Sequence, residues 1–305
     1  MQVESGQLAA LLAVLREGSF DRAAGVLHVT PSAVSQRIKL LEERLGAVLV
    51  VRGVPCRPTP RGREVYKHAL QLEVLERELL AALPGAGAAQ TPEAPMSIAA
   101  NADSLATWLV PALVQFGQQT GARVEVVVDD QDHTAEWLRS GRVLGAVTAE
   151  ATPVQGCRVQ PLGVMRYRAT ATRRFIRRHF GKTITAGELW RAPSLAFDRK
   201  DELQERFIRQ VLGGAPGELR AHFVPSPTAY VQASLLGLGW GLNPEALVEP
   251  HVKARRLVEL FPRKWLDVPL YWQQWGLASR TLDALAAALH AQAGIALRPA
   301  TSFRR

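Results

Sequence analysis

The chain has 305 residues, 47% hydrophobic and 21% charged, a composition that excludes a disordered, collagen-like or low-complexity protein. Its length fits two domains of about 150 residues, or a small domain joined to a larger two-lobed one. Thirty-seven Lys and Arg against 28 Asp and Glu give a net charge of +9, which favours polyanionic partners. No run approaches the ~18 uncharged apolar residues of a membrane span, and the N-terminal stretch MQVESGQLAALLAVLREGSF carries acids without a basic n-region or cleavage site. Cys56 and Cys157 have neither CxxC nor zinc spacing. The expectations are a cytoplasmic protein with no membrane contact, no disulfide framework and no metal.

Residues 1–83 read as almost continuous helix. Leu8, Leu11, Leu12 and Leu15 recur at the spacing of a buried helical stripe. Gly18 stops that helix, and Ser19 caps a second through Ala23, Ala24 and Leu27. Thr30 with Pro31 caps a third over residues 31–45, because proline at the first helical position gives up no needed N–H. This helix turns Val34, Ile38, Leu41 and Leu45 inward and places Ser32, Ser35, Gln36, Arg37 and Lys39 on other faces, until Gly46 ends it. The β-branched run 48–52 and the Pro- and Gly-broken return 53–58 read as a small hairpin or wing. Thr59 and Pro60 open a long helix to Leu83. Its seam of Val65, Ala69, Leu72, Leu75, Leu79 and Leu83 suits pairing with a second chain, and packing on its own domain is the alternative.

Residues 84–95, rich in Gly, Ala and Pro, form a linker. Beyond it, strand-like runs at 97–100, 124–128, 143–148, 194–197 and 222–224 alternate with helical patterns at 105–119, 202–212, 228–238 and 281–292. That alternation implies an α/β fold with largely parallel sheets, in two lobes.

Three short helices followed by a wing are the grammar of a winged helix-turn-helix. A recognition helix needs small polar residues at its start, to approach the major groove, bond base edges and aim N–H groups at phosphate. The DNA-contact candidates are the capped start Thr30 and Pro31, then Ser32, Ser35 and Gln36, with Arg37, Lys39 and Arg52 suited to phosphate. Residues 37–67 hold eight Lys or Arg against three Glu, so the charge is local. A solvated amphipathic helix explains the polar face without explaining the caps, wing and basic cluster together.

The stretch SFDRAAGVLHVTPSAVSQRIKLLEERLGAVLVVR resembles the DNA-binding domain of LysR-type transcriptional regulators. RGVPCRPT, NADSLATW, DDQDHT, GAVT, CRVQPLGVMRY and VPLYWQ are similar to the lysine/arginine-export regulator branch, of the ArgP and LysG type. TPRGRE after the wing departs from the family's Thr-x-Ala-Gly pattern. The resemblance implies a winged helix-turn-helix at 1–58, a linker and dimerisation helix at 59–83, a hinge at 84–95, and a periplasmic-binding-protein-like effector domain at 96–305. Lobe one is then 96–163 with 268–305, and lobe two is 164–267. It further implies a regulator that activates a basic-amino-acid exporter gene, with lysine or arginine as effector and no cofactor. The implied partners are double-stranded operator DNA, RNA polymerase and further copies of the chain, as a homodimer or homotetramer.

Asn101, Asp103 and Ser104 follow a strand and open a helix, where N–H groups and the helix dipole favour a carboxylate; Ser104 and Thr107 are expected to hold the ligand's α-carboxylate. Asp103 reads as an ordinary cap. Asp129 and Asp130 end one strand and Asp198 follows another, at carboxyl strand ends where open α/β sheets bind ligands, suited to a cationic group. Thr148, closing GAVT, completes the set, and Trp240 in GLGWG borders the cleft in one reading. Residues 151–187 contain eight basic residues and no acid, a solvated helix or a surface for DNA or a partner. An enzyme has no motif here. A solute-binding transport component would share the lobes but not the first 95 residues, and an architectural DNA-binding protein would lack operator specificity.

Overall fold

The computed structural model describes residues 3–82, 95–129, 134–215 and 217–299. The chain divides into two compact units: Met1–Pro92 with Arg139–Val143 and Leu277–Thr281, and Glu93–Leu138 with Leu144–Gly276 and Leu282–Arg305.

In the first unit, helices α1 (Ser5–Glu17), α2 (Phe20–Val26) and α3 (Pro31–Leu45) begin and end on local chemistry. Gly18 closes α1 at φ 70° and Gly46 closes α3 at φ 63°, both left-handed. The Ser19 hydroxyl accepts the Arg22 N–H at 3.1 Å and the Thr30 hydroxyl accepts the Ala33 N–H at 3.2 Å, each satisfying an orphan donor of the helix start. Leu8, Leu11, Val14, Ala23, Ala24, Val34, Ile38 and Leu41 are buried and form the core. A two-stranded antiparallel hairpin, β1 (Val50–Val51) and β2 (Arg57–Pro58), follows. It is fastened to α3 by Glu42, whose Oε1 accepts the N–H groups of Leu49 at 2.7 Å and Val50 at 3.2 Å.

Helix α4 (Pro60–Ala82) starts under that hairpin. Thr59 donates its hydroxyl to the Val48 carbonyl at 2.7 Å and accepts the Gly62 N–H at 2.9 Å. A Cβ at Gly62 would stand 1.9 Å from the Leu49 carbonyl oxygen. The departure at TPRGRE therefore falls on Arg61, which is exposed, while the glycine occupies the position that requires it. The face of α4 buried within this chain is Tyr66, Ala69, Leu70 and Val74, which shares only Ala69 with the seam read as suited to a second chain. Val65 and Leu72 are half-buried, and Leu75 and Leu79 are exposed together with Leu80. Leu83 and residues 84–94 of the linker lie outside the described residues. Both stripes have helical spacing, and the one turned towards α1 is the one buried. Arg16 of α1 grips Glu73 of α4 through two hydrogen bonds of 3.1 and 2.6 Å. With both side chains about a third exposed, Glu73→Gln is expected to cost about 1 kcal/mol, read as a lower urea midpoint.

The second unit opens with β3 (Met96–Asn101), a continuous helical run of α5 (Ala102–Ser104), a π turn (Leu105–Leu109) and α6 (Val110–Thr120), then β4 (Val124–Asp129), α7 (Thr134–Arg139) and β5 (Gly145–Thr148). The long strand β6 (Cys157–Ala171) leads to α8 (Arg173–His179), α9 (Ala186–Arg191), β7 (Pro193–Ala196), α10 (Leu203–Arg206) with a π turn (Phe207–Val211), and β8 (Arg220–Phe223). Then come α11 (Pro227–Leu236), β9 (Gly241–Pro244), α12 (Glu245–Lys253), β10 (Val258–Glu259), β11 (Leu266–Trp275) and α13 (Arg280–Ala296).

The main sheet runs β10-β6-β11-β5-β3-β4, with β9 also on β6; β7 and β8 form a separate pair. Pairs β3/β4, β3/β5 and β7/β8 are parallel, but β11 is antiparallel to both β5 and β6, and β6 to β9 and β10. The sheet is thus mixed rather than largely parallel, because β6 and β11 run against each other through its centre. Both strands cross the expected lobe boundaries at 163 and 267. Trp108, Trp272, Tyr167, Phe116, Ile98 and Leu109 are fully buried in the core. Gly145 makes room for Trp272, whose ring would lie 2.2 Å from a Cβ there. Among the described residues no helix is long and apolar enough to cross a membrane.

Candidate nucleic-acid interface and ligand cleft

Helix α3 buries Val34, Ile38 and Leu41, and Ser32, Ser35, Gln36 and Lys39, spaced three and four apart, line the opposite stripe. Ser32, Gln36 and Lys39 are exposed, and Ser35 and Arg37 are half-buried. Pro31 sits at the first helical position behind the Thr30 cap, so small side chains surround the uncapped remainder of the N-terminal N–H groups. Lys39 reaches Glu43 at 3.7 Å across solvent, a weak pair that competes little with phosphate. Arg52, on the wing, stacks its guanidinium 5.0 Å from the Phe20 ring. Arg57, Arg61 and Arg63 are further exposed cations beside it in sequence.

In the second unit, adjacent parallel strands β3 and β4 end in register, Asn101 opposite Asp129. Both line a half-open cavity, with Ala102, Asp103, Phe197, Asp201, Leu203, Pro227, Tyr230, Leu242, Asn243 and Pro244. Three carboxylates and, among the described residues, no basic side chain line this space. Asp103 accepts the Tyr167 hydroxyl at 2.7 Å, and Asp129 accepts the Trp137 indole N–H at 2.9 Å. Each is thereby aimed from a buried or half-buried neighbour.

Asp201 is held most tightly. It accepts the N–H groups of Phe197 at 2.8 Å and Leu203 at 3.0 Å, and the Gln204 amide at 3.3 Å. Burial nevertheless raises its pKa, outweighing those bonds, and nearby Asp198 adds repulsion. Tyr230 donates to the Leu195 carbonyl at 2.7 Å and receives the Gln204 amide at 2.9 Å. Its pKa is raised well above the ordinary phenol value, by burial first and then by the charges of Asp201 and Asp103. Asn243, fully buried, donates to the Thr170 hydroxyl at 3.0 Å. Its Oδ1 has no hydrogen-bond partner among the described residues, an acceptor suited to a donor-rich ligand.

The expected ligand residues divide. Asn101 and Asp129 line the cavity. Ser104 is fully buried and accepts the Trp108 indole at 3.1 Å. Thr107 donates to the Asp103 carbonyl at 2.6 Å and lines a different, wider depression. Thr148 is buried and accepts the Glu150 N–H at 3.1 Å. Asp198 caps its own turn, accepting the N–H groups of Lys200 at 2.7 Å and Asp201 at 3.2 Å. Trp240 is buried, its indole donating to the Leu189 carbonyl at 3.1 Å, so it does not border the cavity. Asp130 lies outside the described residues. Asp201, Tyr230 and Asn243 were not expected, and Asp103, read as a cap, faces the cavity. In the wider depression, Glu245 is already engaged by Arg168 and by Arg298, the latter at 2.8 Å, which leaves it less suited to a charged ligand.

A family description of bacterial regulatory helix-turn-helix proteins of the lysR family matches residues 5–63, and one of LysR substrate binding domains matches residues 89–300. The chain is 46% identical over 278 residues to the HTH-type transcriptional regulator LysG of Mycobacterium tuberculosis, covering 91% of this chain and 89% of that one. It is 42% identical over 287 residues to the HTH-type transcriptional regulator ArgP of Pseudomonas aeruginosa, covering 94% and 95%. Among solved structures, ArgP from Mycobacterium tuberculosis is similar with a TM-score of 0.86 at 44% identity, over 98% of this chain and all 100% of that one. Full-length LysG from Corynebacterium glutamicum with bound effector Arg is similar with a TM-score of 0.77 at 39% identity, over 97% and 100%.

Proposed function

The chain belongs to the LysR family of DNA-binding transcriptional regulators, and from that premise we propose that its acidic cleft binds L-arginine or L-lysine and that the bound form activates a basic-amino-acid exporter gene. The observation that carries the effector reading is the lining: three carboxylates, Asp103, Asp129 and Asp201, gathered around one cavity. A ligand cation replaces water around three carboxylates that otherwise repel one another. Phe197, Leu203 and Leu242 supply apolar surface for an aliphatic stem, and the ring of Phe197 suits a guanidinium. The helical run opening at Ala102 has no side-chain cap from Asn101, so its dipole favours the ligand's α-carboxylate. The solved relative with bound arginine supports the same class.

Calorimetric titration of the full chain with L-arginine, L-lysine and norleucine tests this. Norleucine keeps the stem and lacks the terminal cation, so it is expected to show no heat at concentrations that saturate with arginine or lysine. Equal binding of norleucine would remove the carboxylates from the recognition.

The regulator is proposed to work in the cytoplasm as a homodimer through α4, whose Leu75, Leu79 and Leu80 are exposed, and as a homotetramer on DNA, in contact with RNA polymerase. Effector binding closes the cleft and shifts the assembly between two DNA-bound arrangements. Thr30, Pro31, Ser32, Ser35 and Gln36 are assigned to the groove, and Arg37, Lys39 and Arg52 to phosphate. Ser35→Ala and Gln36→Ala are each expected to lower operator affinity about 5- to 100-fold, the worth of a lost base contact, with little change on random-sequence DNA. Equal losses on both DNAs would count against base reading.

A further inference from the structure

The acid-free stretch 151–187 holds eight cations, and the structure divides them. Arg158 is exposed on β6. Arg166 is consumed by Asp267 at 2.8 Å, and Arg168 by Glu245 and, at 3.2 Å, by Glu259. Arg173, Arg174, Arg177 and Arg178 stand exposed on α8, with Lys182 exposed just beyond it. None of these five makes a salt bridge among the described residues. Arg220, on β8, is exposed and close enough to add its charge to that of Arg178 in lowering the His179 pKa, after burial as the first cause.

Helix stability does not account for this arrangement. Thr172 already caps α8, accepting the Phe175 N–H at 3.2 Å. Arg177 and Arg178 lie in the last turn, where the dipole favours cations, but Arg173 and Arg174 lie in the first turn, where it opposes them, and no acid sits there. The pairs 173/177 and 174/178 are like charges one turn apart, each destabilising by roughly 0.2–0.5 kcal/mol. Four guanidiniums on seven residues are therefore held against local preference.

We propose that the exposed face of α8, Arg173, Arg174, Arg177 and Arg178 with Lys182, is a second nucleic-acid surface that contacts the phosphate backbone of duplex DNA. The chemistry of the patch selects that occupant. A protein partner's site is centred on exposed apolar or aromatic anchors, whereas the phenyl ring of α8, Phe175, is buried against Phe180 and packs on the His179 ring. What remains outward is guanidinium, the group whose planar fork suits phosphate. Such contacts read no bases and add affinity on any sequence, through release of condensed counterions.

The test is the salt dependence of binding of the full chain to a random-sequence duplex. Each phosphate contact contributes about 0.9 to the slope of log K against log salt. The fourfold variant R173Q/R174Q/R177Q/R178Q is expected to lower that slope by about 2 to 4. A charge-matched control, Arg255→Gln, Arg256→Gln, Arg263→Gln and Lys264→Gln, removes four exposed cations elsewhere in the same unit and is expected to leave it unchanged. R173Q/R174Q alone is expected to lower the slope by about 1 to 2 with an unchanged or higher Tm, because it removes the two arginines the helix dipole disfavours. An unaltered slope in that double variant overturns the proposal and points to an acidic protein surface instead. An equal drop in the charge-matched control also overturns it, since the effect is then one of net charge.

Discussion

Asp201→Asn is expected to weaken arginine binding about 10- to 100-fold, the worth of one charge-assisted hydrogen bond in a water-poor site. Arg, Lys and norleucine titrations of the variant check it, and a variant that retains full affinity would place the effector elsewhere. The pH dependence separates this carboxylate from its neighbours. Burial raises the Asp201 pKa above the ordinary aspartate range, so in that window the native protein holds a proton that the unfolded chain has released. Stability contributed by this group is present at low pH and falls as pH rises through the raised pKa. Arginine affinity moves the opposite way, because the ionised form attracts the cation. The difference in unfolding free energy between wild type and Asp201→Asn is therefore expected to decline with pH across the window in which arginine affinity climbs. Using the difference cancels other carboxylates such as Glu245 and Glu188, whose pKa values are lowered and which contribute in the reverse sense.

Gly62→Ala is the second large effect. The added methyl group meets a backbone carbonyl at 1.9 Å, and backbone cannot swing aside as a flexible side chain would. Either α4 or the hairpin must move, which breaks the Thr59 bonds to Val48 and Gly62. Overpacking of this kind costs about 1–3 kcal/mol. A lower Tm for the DNA-binding unit and weaker binding to operator and random DNA are expected together, with arginine titration unaffected. Arg61→Ala, at the exposed neighbour that departs from the family pattern, is expected to leave Tm within about 0.5 kcal/mol of equivalent stability. A Gly62→Ala protein with wild-type Tm would show that the carbonyl contact is relieved at no cost.

What was legible in the sequence was what is settled within a few residues. Thr30, Pro31 and Gly46 bound α3 because a cap, a fixed φ and a left-handed stop act locally. The strands β3, β4, β5, β7 and β8 showed as short apolar runs. The longest strand, β6, did not, because Pro161, Gly163, Arg166 and Arg168 interrupt its pattern, and β11 carries Asp267 and Pro269. Their pairing is settled across the sheet, where Arg166 stands directly opposite Asp267 in the ladder and bonds it at 2.8 Å. The same non-locality hid the cleft. Asp198 and Asp201 both follow β7, and only packing against α11 and β9 decides which faces inward. On α4 the sequence showed one apolar seam and not the second stripe of Tyr66, Ala69, Leu70 and Val74 that is buried within the chain, since both have helical spacing and periodicity does not say which one α1 covers.

The carboxylate of Glu42 has a consequence for how operators are read. Because a side chain near the end of α3 holds two backbone N–H groups of the wing at 2.7 and 3.2 Å, α3 and the wing, in the DNA-reading role proposed for them, behave as a single stiff stylus. Neither can be retuned to a new half-site shape without disturbing the other. In the proposed dimer the freedom left is then the stride between two styluses along the duplex, which would make half-site spacing, more than half-site contour, the variable an effector addresses.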